Sequence, residues 1–212
     1  ACWPLSSQLL WKITGNNLEK PSYLFGTHHL VDSKDIPHFG QIQERVMSSD
    51  AVVGELDLSE SGLENKVAMG GSMGDLSIRD LVSPSDYLLL DSAFRNVLEV
   101  GIEQLDHMKP MMLLSLHQVA SFLNKSGMGR QPISVDELFQ NKARNSGKNV
   151  FALETIDQQV NLLFNTIPIN RQMETLLYSI KHDKECVVQM NMLTMAYVKG
   201  DLAAIARLDS MD

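Results

Sequence analysis

Short uninterrupted apolar runs alternate along this chain with long stretches of helical periodicity, and three of the runs end in residues fit for chemistry. Tyr23-Leu24-Phe25 leads into Gly26-Thr27-His28-His29, Ala51-Val52-Val53-Gly54 into Glu55, and Val150-Phe151-Ala152-Leu153 into Glu154. Runs of this kind are the signature of buried strands in a parallel sheet. Open α/β sheets bind ligands beyond the carboxyl ends of their strands. The pattern therefore predicts one rim shared by the histidine pair and both carboxylates.

Leu9-Leu10-Trp11-Lys12-Ile13 reads as a further strand, joined to the one at 22–26 as a hairpin through Gly15-Asn16-Asn17 and Pro21. After a polar loop, a helical pattern through Ile42, Val46 and Met47 reaches Ser49-Asp50, and the strand from Ala51 follows. Gly70-Gly71-Ser72-Met73-Gly74 has the composition of a surface loop, a hinge or a disordered tip. Ser83 as N-cap, Pro84 at the first helical position, Asp86 in the first turn and Gly101 past the end bound a helix, with another near Ile102 and a third after Pro110. Capping boxes fit Ser134-Val135-Asp136-Glu137 and Thr155-Ile156-Asp157-Gln158, and Gly147 ends the helix before the strand at 149–153. From Thr155 onward the pattern is almost wholly helical.

The fold class expected is α/β (α+β): a small mixed sheet of about four strands flanked by many helices. One domain spans 1–212, with a helical insert at about 62–130. A sheet that small buries its faces poorly, so carboxyl-terminal strands are expected beyond Asp212.

Composition narrows the function classes. A formal charge of −8 without a Lys/Arg-rich cluster argues against nucleic acid. No apolar stretch approaches the roughly 20 residues that cross a bilayer. Cys2 and Cys186 are too few for a disulfide framework and lack Cys-x-x-Cys spacing, though one bridge between them is open. A start at Ala1-Cys2 fits either signal-peptide removal, with an extracytoplasmic (periplasmic, secreted or membrane-anchored) location, or a cloning boundary. The 12 methionines fall at core spacing in the helices and read as packing filler.

Among the chemical candidates, His28 and His29 follow a strand and the small Gly26, where imidazole serves as metal ligand, general base or partly buried polar group. Glu55 lies in a run expected to be buried, so it needs a metal, a proton or a Lys/Arg partner. Asp57 shares its strand face nearer the exposed end. Glu154 sits at a strand-to-helix junction, where backbone N–H groups alone could satisfy it, and Gln159 on the next turn either points to the same rim or is solvated. His107 and His117 are expected to be structural residues on helices, and His38 and His182 to lie at the surface.

Taken in order, Leu10-Trp11-Lys12-Ile13, Ser22-Tyr23-Leu24-Phe25-Gly26-Thr27-His28-His29 and Val52-Val53-Gly54-Glu55-Leu56-Asp57 resemble the amino-terminal half of the TraB/GumN family. Val135-Asp136-Glu137-Leu138, Gly147-Lys148 and Leu153-Glu154-Thr155 with Gln159 resemble its later segment, so the likeness covers about residues 9–165. It implies a fold shared with the Tiki metalloproteases and related to erythromycin-esterase-like proteins, with two Gly-x-x-His motifs, Glu and Arg at the active site. The first motif maps onto Gly26 and His29, and the acidic positions onto Glu55 and Glu154. The second Gly-x-x-His and its arginine have no counterpart in this sequence.

The resemblance implies a divalent-metal-dependent hydrolase of peptidase type, with manganese or cobalt favoured over zinc. His29 and Glu55 would bind the metal, Glu55 or Glu154 would act as catalytic base, and His28 and Gln159 would contact a peptide or small-molecule substrate. Two alternatives stand beside it: a non-catalytic peptide or small-ligand binder of the same fold, and a haem or metal carrier using His28 or His29.

Overall fold

A computed structural model describes residues 9–127 and 132–209. Cys2 and any bridge from it to Cys186 lie outside the described residues. The chain divides into two compact units: one comprises 1–58, 131–153 and 189–212, the other 59–130 and 154–188.

Among the described residues, the first unit holds four strands. β1 (Leu10–Ile13) and β2 (Ser22–Phe25) form an antiparallel hairpin in which Trp11 faces Leu24. The turn between them uses Asn16 and Asn17 at positive φ, a conformation that Asn tolerates better than other side chains. β3 (Ala51–Gly54) and β4 (Asn149–Ala152) pair in parallel, with Val52 opposite Val150 and Val53 opposite Phe151. The mixed α/β class is as expected, but the four strands make two separate two-stranded sheets and not one.

The apolar runs are also less buried than their composition implies. Val53 is 56% exposed and Phe151 54%, so β3 and β4 each keep an open face. The other side is covered by α6 (Val135–Asn145), which packs on both strands, and α6 in turn meets α1 (Phe39–Ser48). Leu10, Ile42, Val135, Phe139 and Tyr197 form the core of this unit, with Phe39 stacked on Phe139 at 5.6 Å between ring centroids. Ser134 caps α6 by accepting the Glu137 N–H, and Gly147, at φ +71°, ends the connection before β4.

The second unit is helical. It contains α2 (Leu63–Gly70), α3 (Ile78–Leu81), α4 (Pro84–Leu98), a 3₁₀ turn at Ile102–Leu105, α5 (Pro110–Ser126), α7 (Ile156–Asn165) and α8 (Ile169–Lys181). α9 (Asp183–Lys199) begins in this unit and its residues from 189 belong to the first, as does α10 (Leu202–Asp209). Ile78, Leu90, Phe94, Ile102, Leu113 and Leu176, all fully enclosed, form the core. Ser83, Pro84 and Asp86 start α4 as expected, but the helix stops at Leu98 with Glu99 in the left-handed region, short of Gly101.

Two local readings are sharpened: of the three readings of 70–74 the surface loop stands, and His107 leaves its expected helix. The glycine-rich stretch at 70–74 is neither hinge nor open tip: Gly70 closes α2, and the backbone of 71–73 bonds to His107 and Lys109. A Cβ on Gly70 would sit 2.1 Å from Val160 Cγ1, so glycine serves here as a close-packing residue between α2 and α7. His107 lies in an exposed turn, its Nδ1 3.1 Å from the Leu76 carbonyl, and not on a helix. His117, by contrast, is 3% exposed on α5 beside Phe94, the structural place expected of it. No helix among the described residues is long and apolar enough to cross a membrane.

Candidate functional site

The loop leaving β2 is fixed from two sides. Below it, the Tyr197 hydroxyl on α9 donates to the Gly26 carbonyl at 2.8 Å. Burial and the charge of Asp136 hold the Tyr197 pKa far above its ordinary value, so this hydroxyl stays a donor at any physiological pH. Beside the loop, Asp136 in the first turn of α6 accepts the Thr27 hydroxyl at 3.1 Å through Oδ1, while its Oδ2 lies 3.4 Å from His29 Nδ1. The amino end of α6 supplies a favourable dipole for that carboxylate.

The contact to His29 is a close approach that becomes an ion pair when the ring is protonated, and not a well-directed hydrogen bond: Oδ2 is enclosed and no donor is aimed at it within bonding geometry. Its electrostatic effect is still clear. Contact with Asp136 raises the His29 pKa against the opposing effect of burial, and the charges of Asp136 and Glu55 add to the rise. Burial works to raise the pKa of Asp136, but His29 and Thr27 together overcome it and leave the carboxyl below its ordinary value. His29 remains 66% exposed in its side chain, and with Nδ1 turned to Asp136 its Nε2 is the ring atom presented to a ligand or proton.

His28 points elsewhere. Its Nδ1 accepts the Leu30 N–H at 3.2 Å, which puts the proton of the neutral ring on Nε2, 3.5 Å from Thr194 Oγ1. The ring meets Tyr197 edge-on at 5.4 Å between centroids, and burial, helped by the charge of His29, lowers its pKa. The structure thus sets the adjacent histidines apart: His28 anchors the loop, and His29 keeps an exposed ring beside Asp136.

Glu55 leaves β3 directly, close enough for its charge to be felt at His29. It is exposed and not buried, so the desolvation penalty expected from its apolar run does not arise. Asp57, two residues on, pairs with Arg144 of α6. Glu154 and Gln159 belong to the other unit: Glu154 is exposed immediately before Thr155, whose side chain and Gln158 form a reciprocal capping box for α7, and Gln159 is half-buried on that helix. Of the rim candidates, His28, His29, Glu55 and Asp57 lie in one unit, and Glu154 and Gln159 in the other.

Sequence reasoning missed Asp136, Thr27 and Tyr197 as members of this site. Asp136 reads only as part of the Ser134–Glu137 capping segment, and it does lie in the first turn of α6. Among the described residues, no group of three or more His, Cys, Asp or Glu side chains is gathered closely enough to hold a metal ion. His29 and Glu55, with Asp136 behind the imidazole, supply at most two donors and a supporting carboxylate, which falls short of a complete metal site.

Comparison with curated proteins and with solved structures yields no match. The model of the TraB/PrgY/gumN family, however, matches residues 9–212, nearly the whole length and all the loops just described. The chain belongs to the TraB/PrgY/gumN family.

Proposed function

We propose that this chain carries a hydrolytic site of peptidase type centred on His29, with Asp136 orienting the imidazole and Glu55 at its side. The observation that carries the reading is the Asp136–His29 pair: a carboxylate behind Nδ1 of an accessible imidazole whose pKa is raised, the arrangement of a general base and its orienter. His29 Nε2 removes a proton from water as the water oxygen adds to the scissile carbonyl carbon. The imidazolium is stabilised by Asp136 and Glu55, and it returns the proton to the leaving amine as the C–N bond breaks.

A divalent ion, manganese or cobalt before zinc, and an extracytoplasmic location belong to the same proposal. Such an ion would polarise the carbonyl, with His29 Nε2 and Glu55 as its donors in this chain; since Nε2 would then be occupied, the proton of water would pass to a carboxylate in place of His29. Because those donors do not complete a site, no step above runs through it. The same shortfall favours a second reading, a peptide or small-ligand binder that does not turn over.

The test is cleavage of a mixed peptide library by the full chain, metal-stripped and with manganese, cobalt or zinc restored, scored by new amino termini in mass spectra. The proposal expects cleavage that falls about 10²–10⁴-fold in His29→Ala. Equal cleavage by that variant overturns it. Saturable peptide binding without cleavage under any condition moves the reading to the binder.

A further inference from the structure

α6 carries a second polar side chain one turn beyond Asp136, and it is buried where the periodicity calls for an apolar residue. Gln140 is 2% exposed, beneath the segment that leaves β3. Its Nε2 donates to the Leu56 carbonyl at 2.8 Å and its Oε1 accepts the Leu58 N–H at 3.0 Å. Arg144, one further turn along, donates to the same Oε1 at 3.2 Å and pairs with Asp57. On the near side, a Cβ on Gly54 would lie 2.5 Å from Gln140 Nε2 and 3.1 Å from the Leu56 carbonyl oxygen.

These contacts bracket Glu55. Residues 55–58 lie beyond the β3–β4 ladder, and a buried carboxamide takes the place of a neighbouring strand by supplying one donor and one acceptor to their backbone. Apolar packing alone would leave the Leu56 carbonyl and the Leu58 N–H without this partner, a costly arrangement in a half-buried segment. A core glutamine that bonds to two main-chain groups fixes their direction more than it adds stability, since its hydrogen bonds replace ones made with water.

We infer that Gln140, seated against Gly54, is the positioning residue of the site: its carboxamide fixes the peptide groups around Glu55 and so sets where that carboxylate stands relative to His29. The inference rests on Glu55 and His29 acting together, as proposed above. α6 then serves the site twice, holding His29 through Asp136 and Glu55 through Gln140, residues four apart on one helix face.

The experiment is a double-mutant cycle read by NMR on the full chain at one fixed neutral pH, scored by the His29 imidazole ¹³C signals and by amide exchange at Leu58. Gln140→Leu is expected to raise Leu58 exchange about ten-fold, with the β1–β2 amides unchanged. It is expected to move the His29 signals in the same direction as Glu55→Gln, and to add nothing further in the Glu55→Gln background. Gly54→Ala, which pushes the carboxamide from the other side, should reproduce the effect and serves if Gln140→Leu does not fold. His29 signals unmoved by Gln140→Leu or Gly54→Ala, or moved equally with and without Glu55, overturn the inference. Neither readout needs turnover, so a chain that cleaves no peptide counts against the hydrolytic reading and leaves this cycle to be judged by itself.

Discussion

Replacing Tyr197 by Phe removes one oxygen atom from the site's support and leaves the rest of the side chain in place. Tyr197 is 4% exposed, and its hydroxyl bond to the Gly26 carbonyl measures 2.8 Å. A hydrogen bond of this kind contributes about 0.5–1.5 kcal/mol net. Gly26 is exposed, so water can take over its carbonyl, which places the loss in the lower half of that range, about 0.5–1 kcal/mol. The edge-on contact with His28 survives because the ring does. Tyr197→Ala is the contrast: about 200 Å² of buried aromatic surface at about 25 cal/mol per Å² comes to about 5 kcal/mol. Urea unfolding followed by circular dichroism measures both. With a slope of about 2 kcal/mol per M, Tyr197→Phe should lower the midpoint by about 0.25–0.5 M, and Tyr197→Ala by several times more. The local consequence is larger than the global one: the amides of Leu30 and Val31, which bond to His28, should exchange faster in Tyr197→Phe while those of α1 do not change. Equal losses in the two variants, or unchanged exchange at Leu30 and Val31, would refute the idea that this hydroxyl holds the loop.

Three further outcomes are expected. Gly70→Ala should cost about 1–3 kcal/mol through its collision with Val160, and Val160→Ala in the same chain should recover part of it, both read from unfolding midpoints. Thr155→Ala removes one half of the capping box of α7 and should cost about 1 kcal/mol by the same assay. Burial lowers the pKa of His117 against the attraction of Asp183, so between its folded and unfolded values the unfolded chain binds more protons. Its contribution therefore favours folding above about pH 6.5 and is progressively lost as pH falls below that value. His117→Leu should flatten the decline in stability between about pH 7 and 5, and an unchanged slope would count against it.

The sequence made the elements legible where the physics is local. Four short apolar runs became four strands, and Ser83, Ser134 and Thr155 cap the helices they were expected to cap, because capping depends on residues three apart. What failed depends on neighbours far along the chain. Val53 and Phe151 look like the interior of a doubly covered sheet, yet composition cannot say whether a second layer covers them, and among the described residues each remains half open. The same error made Glu55 seem buried. At the site, Gly26-Thr27-His28-His29 was visible as a motif, but the division of labour between the two rings was not. It is set by Leu30, Thr194 and Asp136, and Asp136 lies 109 positions from its partner Thr27. Gln140 carried the one usable signal: a polar residue in line with Val135, Phe139 and Ala143 on the buried side of α6.

The central claim is that Asp136 stands behind the His29 imidazole and tunes it. Contact with that carboxylate raises the folded-state pKa of His29, so the pair contributes stability below the ordinary imidazole value, and this is lost as pH rises through the shifted one. A ¹³C NMR titration of the His29 ring in the wild-type chain and in Asp136→Asn measures this directly. A pKa above about 6.5 that falls in Asp136→Asn is the predicted result. A ring that titrates at or below that value and ignores the substitution would contradict it.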